Sequence, residues 1–198
     1  MATRSAGKLR ELRPMLEHVG YAPIDLTEAG IPADEGEESI EAFETFEAYA
    51  LAKARHFHRL SRLPTIADDS GLVVDALGGA PGVQSKRWSR RTDLSGQALD
   101  DANNACLLAA LASAPTRAAR YVCVAAFVEE GREVMGRGET EGDITVAGRG
   151  VSGFGYDPYF WSHDLNATFG ESSIDAKAEV RHRGRAMRAL LREIAVGR

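Results

Sequence analysis

Apolar residues return at three- and four-residue spacing in three stretches of the chain. From Lys8 to about Val19, the side chains of Leu9, Leu12, Leu16 and Val19 share one helical face, and Pro14 fits only if it lies in the first turns. A second stripe, Ile40, Phe43, Phe46, Ala50, Leu51, Ala54 and Phe57, predicts a longer helix with Ser39 as its cap. "SGQALDDANNACLLAALASA" predicts a third. Near the C-terminus Ala186, Met187, Leu190, Leu191 and Ile194 form an apolar stripe backed by arginines. Between these lie extended runs. "LPTIADD" and "LVVDAL" read as two strands around a tight turn, and "RAARYVCVAAFVEE" and "REVMGRGETEGDITVAG" as successive strands joined at Glu130-Gly131. The expected architecture is α/β, a two-lobed mixed-sheet domain with flanking helices and a central substrate groove. It is read as one domain over residues 1–198.

Composition narrows the class. A chain of 198 residues with 44% hydrophobic content can bury a sizeable core. A net charge of -5 argues against a nucleic-acid or membrane-surface binder, whose basic face would dominate. Cys106 and Cys123 form no CxxC pair and suit a reducing cytoplasm, and no stretch is long enough to span a bilayer. The charge is also uneven. From Asp25 to Glu47 there are nine acidic residues and no Lys or Arg, whereas Arg181, Arg183, Arg185, Arg188 and Arg192 crowd the C-terminal stretch. Most of these side chains read as solvated faces. A sharper reading sets both edges against an anion carrying a divalent metal.

Four stretches could carry chemistry. Asp68-Asp69 follows the apolar "PTIA", and adjacent carboxylates at a strand end either form part of a turn or hold a cation. In "TRSAGKLREL", Gly7-Lys8 opens a helix, where backbone N–H groups and an ammonium suit phosphate, although the spacing is not that of a Walker A loop. "GVSGFGYDPYF" places Phe154 and Tyr156 beside Asp157, a stacking ring next to a hydrogen-bonding acid as a nucleobase requires, or simply core aromatics beside a turn. "KAEVRHRGRA" gathers Lys177, His182 and Arg183, which together offer several donors to phosphate or a carbonyl oxygen.

In this order, and with "ALAKAR", "LGGAPGV" and "ARYVCV" between them, the stretches resemble the Ham1-type inosine triphosphate pyrophosphatases nearly from end to end. The resemblance implies a two-lobed α/β fold, Mg²⁺ dependence, a homodimer and a purine nucleoside triphosphate substrate. It implies cleavage of ITP, dITP and XTP to the monophosphate and pyrophosphate. Position by position, it places Thr3, Ser5 and Lys8 in the loop that holds the triphosphate, and Glu41 at a metal-binding position. Asp69 becomes general base and metal contact, and Ser70 a neighbouring substrate contact. Phe154, Gly155, Tyr156 and Asp157 become the base-binding turn, Lys177 a phosphate contact, and His182 with Arg183 the pair reading the 6-oxo group.

The chain departs from that pattern in four places. Ser5 stands where the family usually has Asn, and Ala48-Tyr49-Ala50 where it has Glu-Asn-Ala. Arg181 replaces a Ser, and only Met1 and Ala2 precede Thr3 where a first strand is usual. These departures leave a second expectation, a nucleotide-binding homologue with an impaired metal site.

Overall fold

The computed structural model describes residues 1–33, 40, 43–173, 176–177 and 180–196. Its elements are α1 (Ala6–His18), α2 (Phe46–Ser61), β1 (Thr65–Val74), two 3₁₀ turns (Asp75–Leu77 and Gly82–Arg87), α3 (Gly96–Ala110), β2 (Ala118–Glu129), β3 (Arg132–Ile144), β4 (Phe160–Ser162), β5 (Ala167–Thr168) and α4 (His182–Val196). The strands form one five-stranded sheet in the order β1-β2-β3-β4-β5, with β3–β4 and β4–β5 antiparallel.

The chain divides into two compact units. The first comprises Met1–Asp69, Cys123–Gly138 and Arg183–Arg198. Its core joins Leu12 and Leu16 of α1, Cys123, Ala125 and Phe127 of β2, and Ala186, Met187, Leu190 and Ile194 of α4. At Gly136 of β3 the helix backbone of α4 comes so near, at Ala186 and Leu190, that no Cβ would fit. The second unit comprises Ser70–Val122 and Glu139–His182. Its core joins Leu72, Val74, Leu107, Leu111, Tyr121, Ile144, Phe160 and Phe169. In the first core the buried helix positions are the apolar stripes of α1 and α4, so burial of those faces supports the two helices.

Three expectations change. "TIADDSGLVV" is one unbroken strand, β1, and Asp-Asp-Ser-Gly makes no turn. The turn preference is overridden because each carboxylate finds a cation and the Leu72 N–H donates to the Ser85 hydroxyl at 2.8 Å. Pro14 lies well inside α1, not in its first turns. The ring removes one helical hydrogen bond, and burial of Leu12 and Leu16 on either side holds the helix together. Helix α2 begins at Phe46 with Thr45 as its cap, the hydroxyl accepting from Ala48 N at 3.2 Å. Ser39 lies outside the described residues, and Phe43 precedes the helix.

Candidate functional site

In the first unit, the alternation of β1 sends Asp68 and Asp69 to different partners. Asp68 is 3% exposed. Its Oδ2 lies 2.8 Å from Lys8 Nζ and 3.2 Å from Arg183 Nε, and it accepts a weak bond from Cys123 Sγ at 3.8 Å. Lys8 sits in the first turn of α1, whose cap Ser5 accepts from the Lys8 N–H while Thr3 Oγ1 accepts from Ser5 N at 3.2 Å. The N–H of Ala2 donates to Ile66 O at 2.7 Å and holds this loop along β1. Burial by itself would raise the Asp68 pKa, but Lys8 and Arg183 together more than offset it and hold the carboxyl well below the usual range.

Asp69 Oδ1 instead lies 3.1 Å from Lys53 Nζ on α2. Burial raises its pKa above the ordinary carboxylate value, with Lys53 and Lys8 opposing and the neighbouring Asp68 adding to the rise. Lys53 rests near the ring of Tyr49, 5.6 Å from its centroid, and Tyr49 meets Phe43 edge-on. The unusual Tyr49 thus supports the lysine that holds Asp69. Lys53 had no role in the sequence reading. The available signal was a cation on the buried stripe Phe46-Ala50-Ala54-Phe57 of α2, where a charge needs a reason.

In the second unit, Asp157 is the centre. Its Oδ2 lies 2.7 Å from Arg181 Nη2 and 3.5 Å from Lys177 Nζ, and its Oδ1 accepts from the Tyr121 hydroxyl at 3.4 Å. Burial raises the Asp157 pKa, and Arg181 and Lys177 only partly oppose that. Gly153 has φ of 93°, and any side chain there would run into the Asp157 carboxylate. Tyr121 stacks on His182 with centroids 4.8 Å apart and planes at 11°, and on Phe169 with centroids 5.8 Å apart. The Arg181 guanidinium lies 5.5 Å from the Phe169 centroid and 6.0 Å from that of Phe154. Phe154 is 54% exposed, beside Tyr156 and Asp157 at 4% each. A large exposed ring next to two buried residues is suited to stacking against a flat ligand.

The structure therefore gathers Lys8, Asp68 and Arg183 in one cluster, with Asp69 on Lys53. It gathers Phe154, Asp157, Lys177 and Arg181 in another, tied to His182 through Tyr121. Arg183 Nε lies on Asp68. Ser70 is half-buried on β1 directly after Asp69. Glu41 lies outside the described residues. Among the described residues no three His, Cys, Asp or Glu side chains form a metal-binding group. A single carboxylate still fits a hard divalent cation, because such ions commonly take one or two protein carboxylates and complete their shell with substrate phosphates and water.

The Ham1 family model matches residues 1–193. The chain belongs to the Ham1 family. A dITP/XTP pyrophosphatase of Syntrophobacter fumaroxidans is 46% identical over 195 residues, covering 98% of this chain and 80% of that protein. One from Symbiobacterium thermophilum is 43% identical over 197 residues, covering 98% and 93%. Among solved structures, a HAM1 protein from Coxiella burnetii superposes with a TM-score of 0.85 at 33% identity, covering 98% of this chain and 96% of that one. This Ham1 chain has no described helix long and apolar enough to cross a membrane.

Proposed function

We propose that the protein is a nucleoside-triphosphate pyrophosphatase that converts non-standard purine nucleoside triphosphates, ITP, dITP and XTP, to the monophosphate and pyrophosphate. The observation that carries this reading is Asp69, held by Lys53 within a chain that matches the Ham1 family from residue 1 to residue 193. Relatives named dITP/XTP pyrophosphatase at 46% and 43% identity over nearly the whole chain speak against an impaired nucleotide binder.

The first unit handles phosphate. Lys8 uses part of its donor capacity on Asp68 and offers the rest to phosphate oxygens, aided by the N-terminal turn of α1 and the hydroxyls of Thr3 and Ser5. Asp69 accepts a proton from water as that oxygen bonds to the α-phosphorus. The bond from the α-phosphorus to its bridging oxygen breaks, and pyrophosphate leaves. Ser70 contacts the substrate beside it. Asp69 and Glu41 would hold Mg²⁺, which would supply charge neutralisation of the triphosphate when bound. The second unit handles the base. Phe154 stacks on the purine, the Gly155-Tyr156-Asp157 turn and His182 address its edge, and Lys177 reaches a phosphate. Arg183, which belongs to the first unit and braces Asp68, has only donors to offer and is the proposed contact for the 6-oxo group. Residues 1–198 act as one catalytic domain, a homodimer in the cytoplasm that binds neither nucleic acid nor membrane.

Phosphate release from ITP and ATP tests the reading, coupled to pyrophosphatase and run with and without Mg²⁺. IMP and pyrophosphate should be the products from ITP, with ATP a poor substrate. Formation of IDP and orthophosphate would sink it.

A further inference from the structure

We infer that Asp100 and Asn104 of α3 are positioning residues for the purine, acting through the peptide groups of Gly155. The inference rests on the reading that Phe154 stacks on the base. Four residues apart, the two side chains share one helix face. Asp100 Oδ2 accepts from Gly155 N at 2.8 Å, and Asn104 Nδ2 donates to Gly155 O at 3.0 Å. Both backbone groups of one residue are thus held by one helix. The Tyr156 hydroxyl adds a third anchor, donating to Ser85 O at 2.7 Å.

The position matters because Gly155 adopts φ of 62°, in the left-handed region, and glycine is the residue least able to hold a conformation unaided. The Phe154 ring beside it is more than half exposed. Its described ring contact, with the Arg181 guanidinium at 6.0 Å, is at the outer limit for a cation over a ring. Packing therefore does little to aim this ring, whereas the clamp on Gly155 does so directly. Asn104 makes the case independently. It is 5% exposed, and its buried Oδ1 has no hydrogen-bond partner among the described residues. Burying an amide with one oxygen unsatisfied is costly, and a leucine would suit that helix face better. What the asparagine provides in exchange is the bond to Gly155.

The test uses the full chain with Mg²⁺, measuring IMP affinity as the base-bearing probe and competitive inhibition by tripolyphosphate as the phosphate probe. D100A should weaken IMP binding about tenfold, the loss of one charge-assisted hydrogen bond, with tripolyphosphate inhibition unchanged. D100N, whose amide oxygen can still accept from Gly155, should recover most of that loss. N104L should melt at the same or a higher temperature and yet bind IMP severalfold more weakly, a divergence that a merely structural residue would not produce. F154A separates the two ideas. If F154A loses IMP while D100A and N104L bind it as the unmodified protein does, the clamp is irrelevant and this inference falls alone. If F154A binds IMP normally, the stacking reading falls and the inference with it. Equal loss of IMP and tripolyphosphate in both D100A and D100N would also overturn it, by pointing to the fold.

Discussion

Asp68 and Asp157 are both buried carboxylates facing two cations, yet their environments push them in opposite directions. At Asp68, Lys8 and Arg183 overcome burial and fix the charge. At Asp157, burial prevails over Arg181 and Lys177. The geometry accounts for part of this. The second cation at Asp68 approaches to 3.2 Å, whereas the second at Asp157 stays at 3.5 Å, and Asp157 turns its other oxygen to a neutral phenol. The first cluster is a permanent charge array, suited to ordering a polyanion beside Asp69. In the second, burial raises the Asp157 pKa although Arg181 lies 2.7 Å away.

The largest effect should come from the first unit. Asp69→Asn keeps the shape but loses the base, and turnover should fall on the order of 10²–10⁴-fold with IMP affinity retained. Single-turnover rates with ITP check this, and near-normal turnover would remove Asp69 from the chemistry. Next is Asp68→Asn, which leaves Lys8 and Arg183 facing a neutral amide in a buried place. Breaking a buried pair costs about 3–5 kcal/mol, so urea denaturation should show most of that loss. A loss under about 1 kcal/mol would mean that the cluster behaves like a surface pair.

The sequence made the helical stripes, the β2–β3 hairpin and the run of charged motifs legible, because period and turn chemistry are local properties. It misjudged β1, since Asp-Asp-Ser-Gly reads as a turn until Lys8, Lys53 and Arg183 arrive from distant segments to neutralise it. The start of α2 was misplaced for a related reason, as the apolar stripe continues upstream past the real cap at Thr45. The candidate residues could be named one by one from their motifs, but how the fold partitions them could not. That Arg183 belongs with Asp68, and that Tyr121 ties His182 to Asp157, depends on strand and helix placement that no spacing encodes.

Base choice gives a smaller effect located in the second unit. His182 is held flat against Tyr121, so the ring can present its edge in only one plane. His182→Leu should lower the ITP-over-ATP ratio of kcat/KM by about tenfold, the worth of one good hydrogen bond, while the Mg²⁺ dependence stays as it was. Lys8→Ala should do the reverse, raising KM for both nucleotides and leaving their ratio alone. If the ratio moved with Lys8 and not with His182, the division of labour between the clusters would be wrong.

The smallest effect tests the comparison itself through pH. A carboxyl whose folded pKa is raised keeps its proton in the folded chain at pH values where the unfolded chain has released it. Stability then falls as pH rises from the ordinary carboxylate value, near pH 4, to the raised folded value, and is level beyond. Asp157→Asn cannot titrate and lacks that slope. The stability of the unmodified protein relative to this variant should therefore decline with rising pH across that window, by at most about 1.4 kcal/mol per pH unit. Asp68 carries the opposite sign, because a lowered folded pKa gives stability that is present above the ordinary value and lost as pH falls below it. Urea titrations from about pH 4 to about pH 7 isolate Asp157, since Asp68 and Asp69 titrate in both proteins and cancel from the difference between them. A difference that is flat or that grows with pH would mean that Arg181 and Lys177 prevail over burial after all. The two carboxylates would then be the same device in two places.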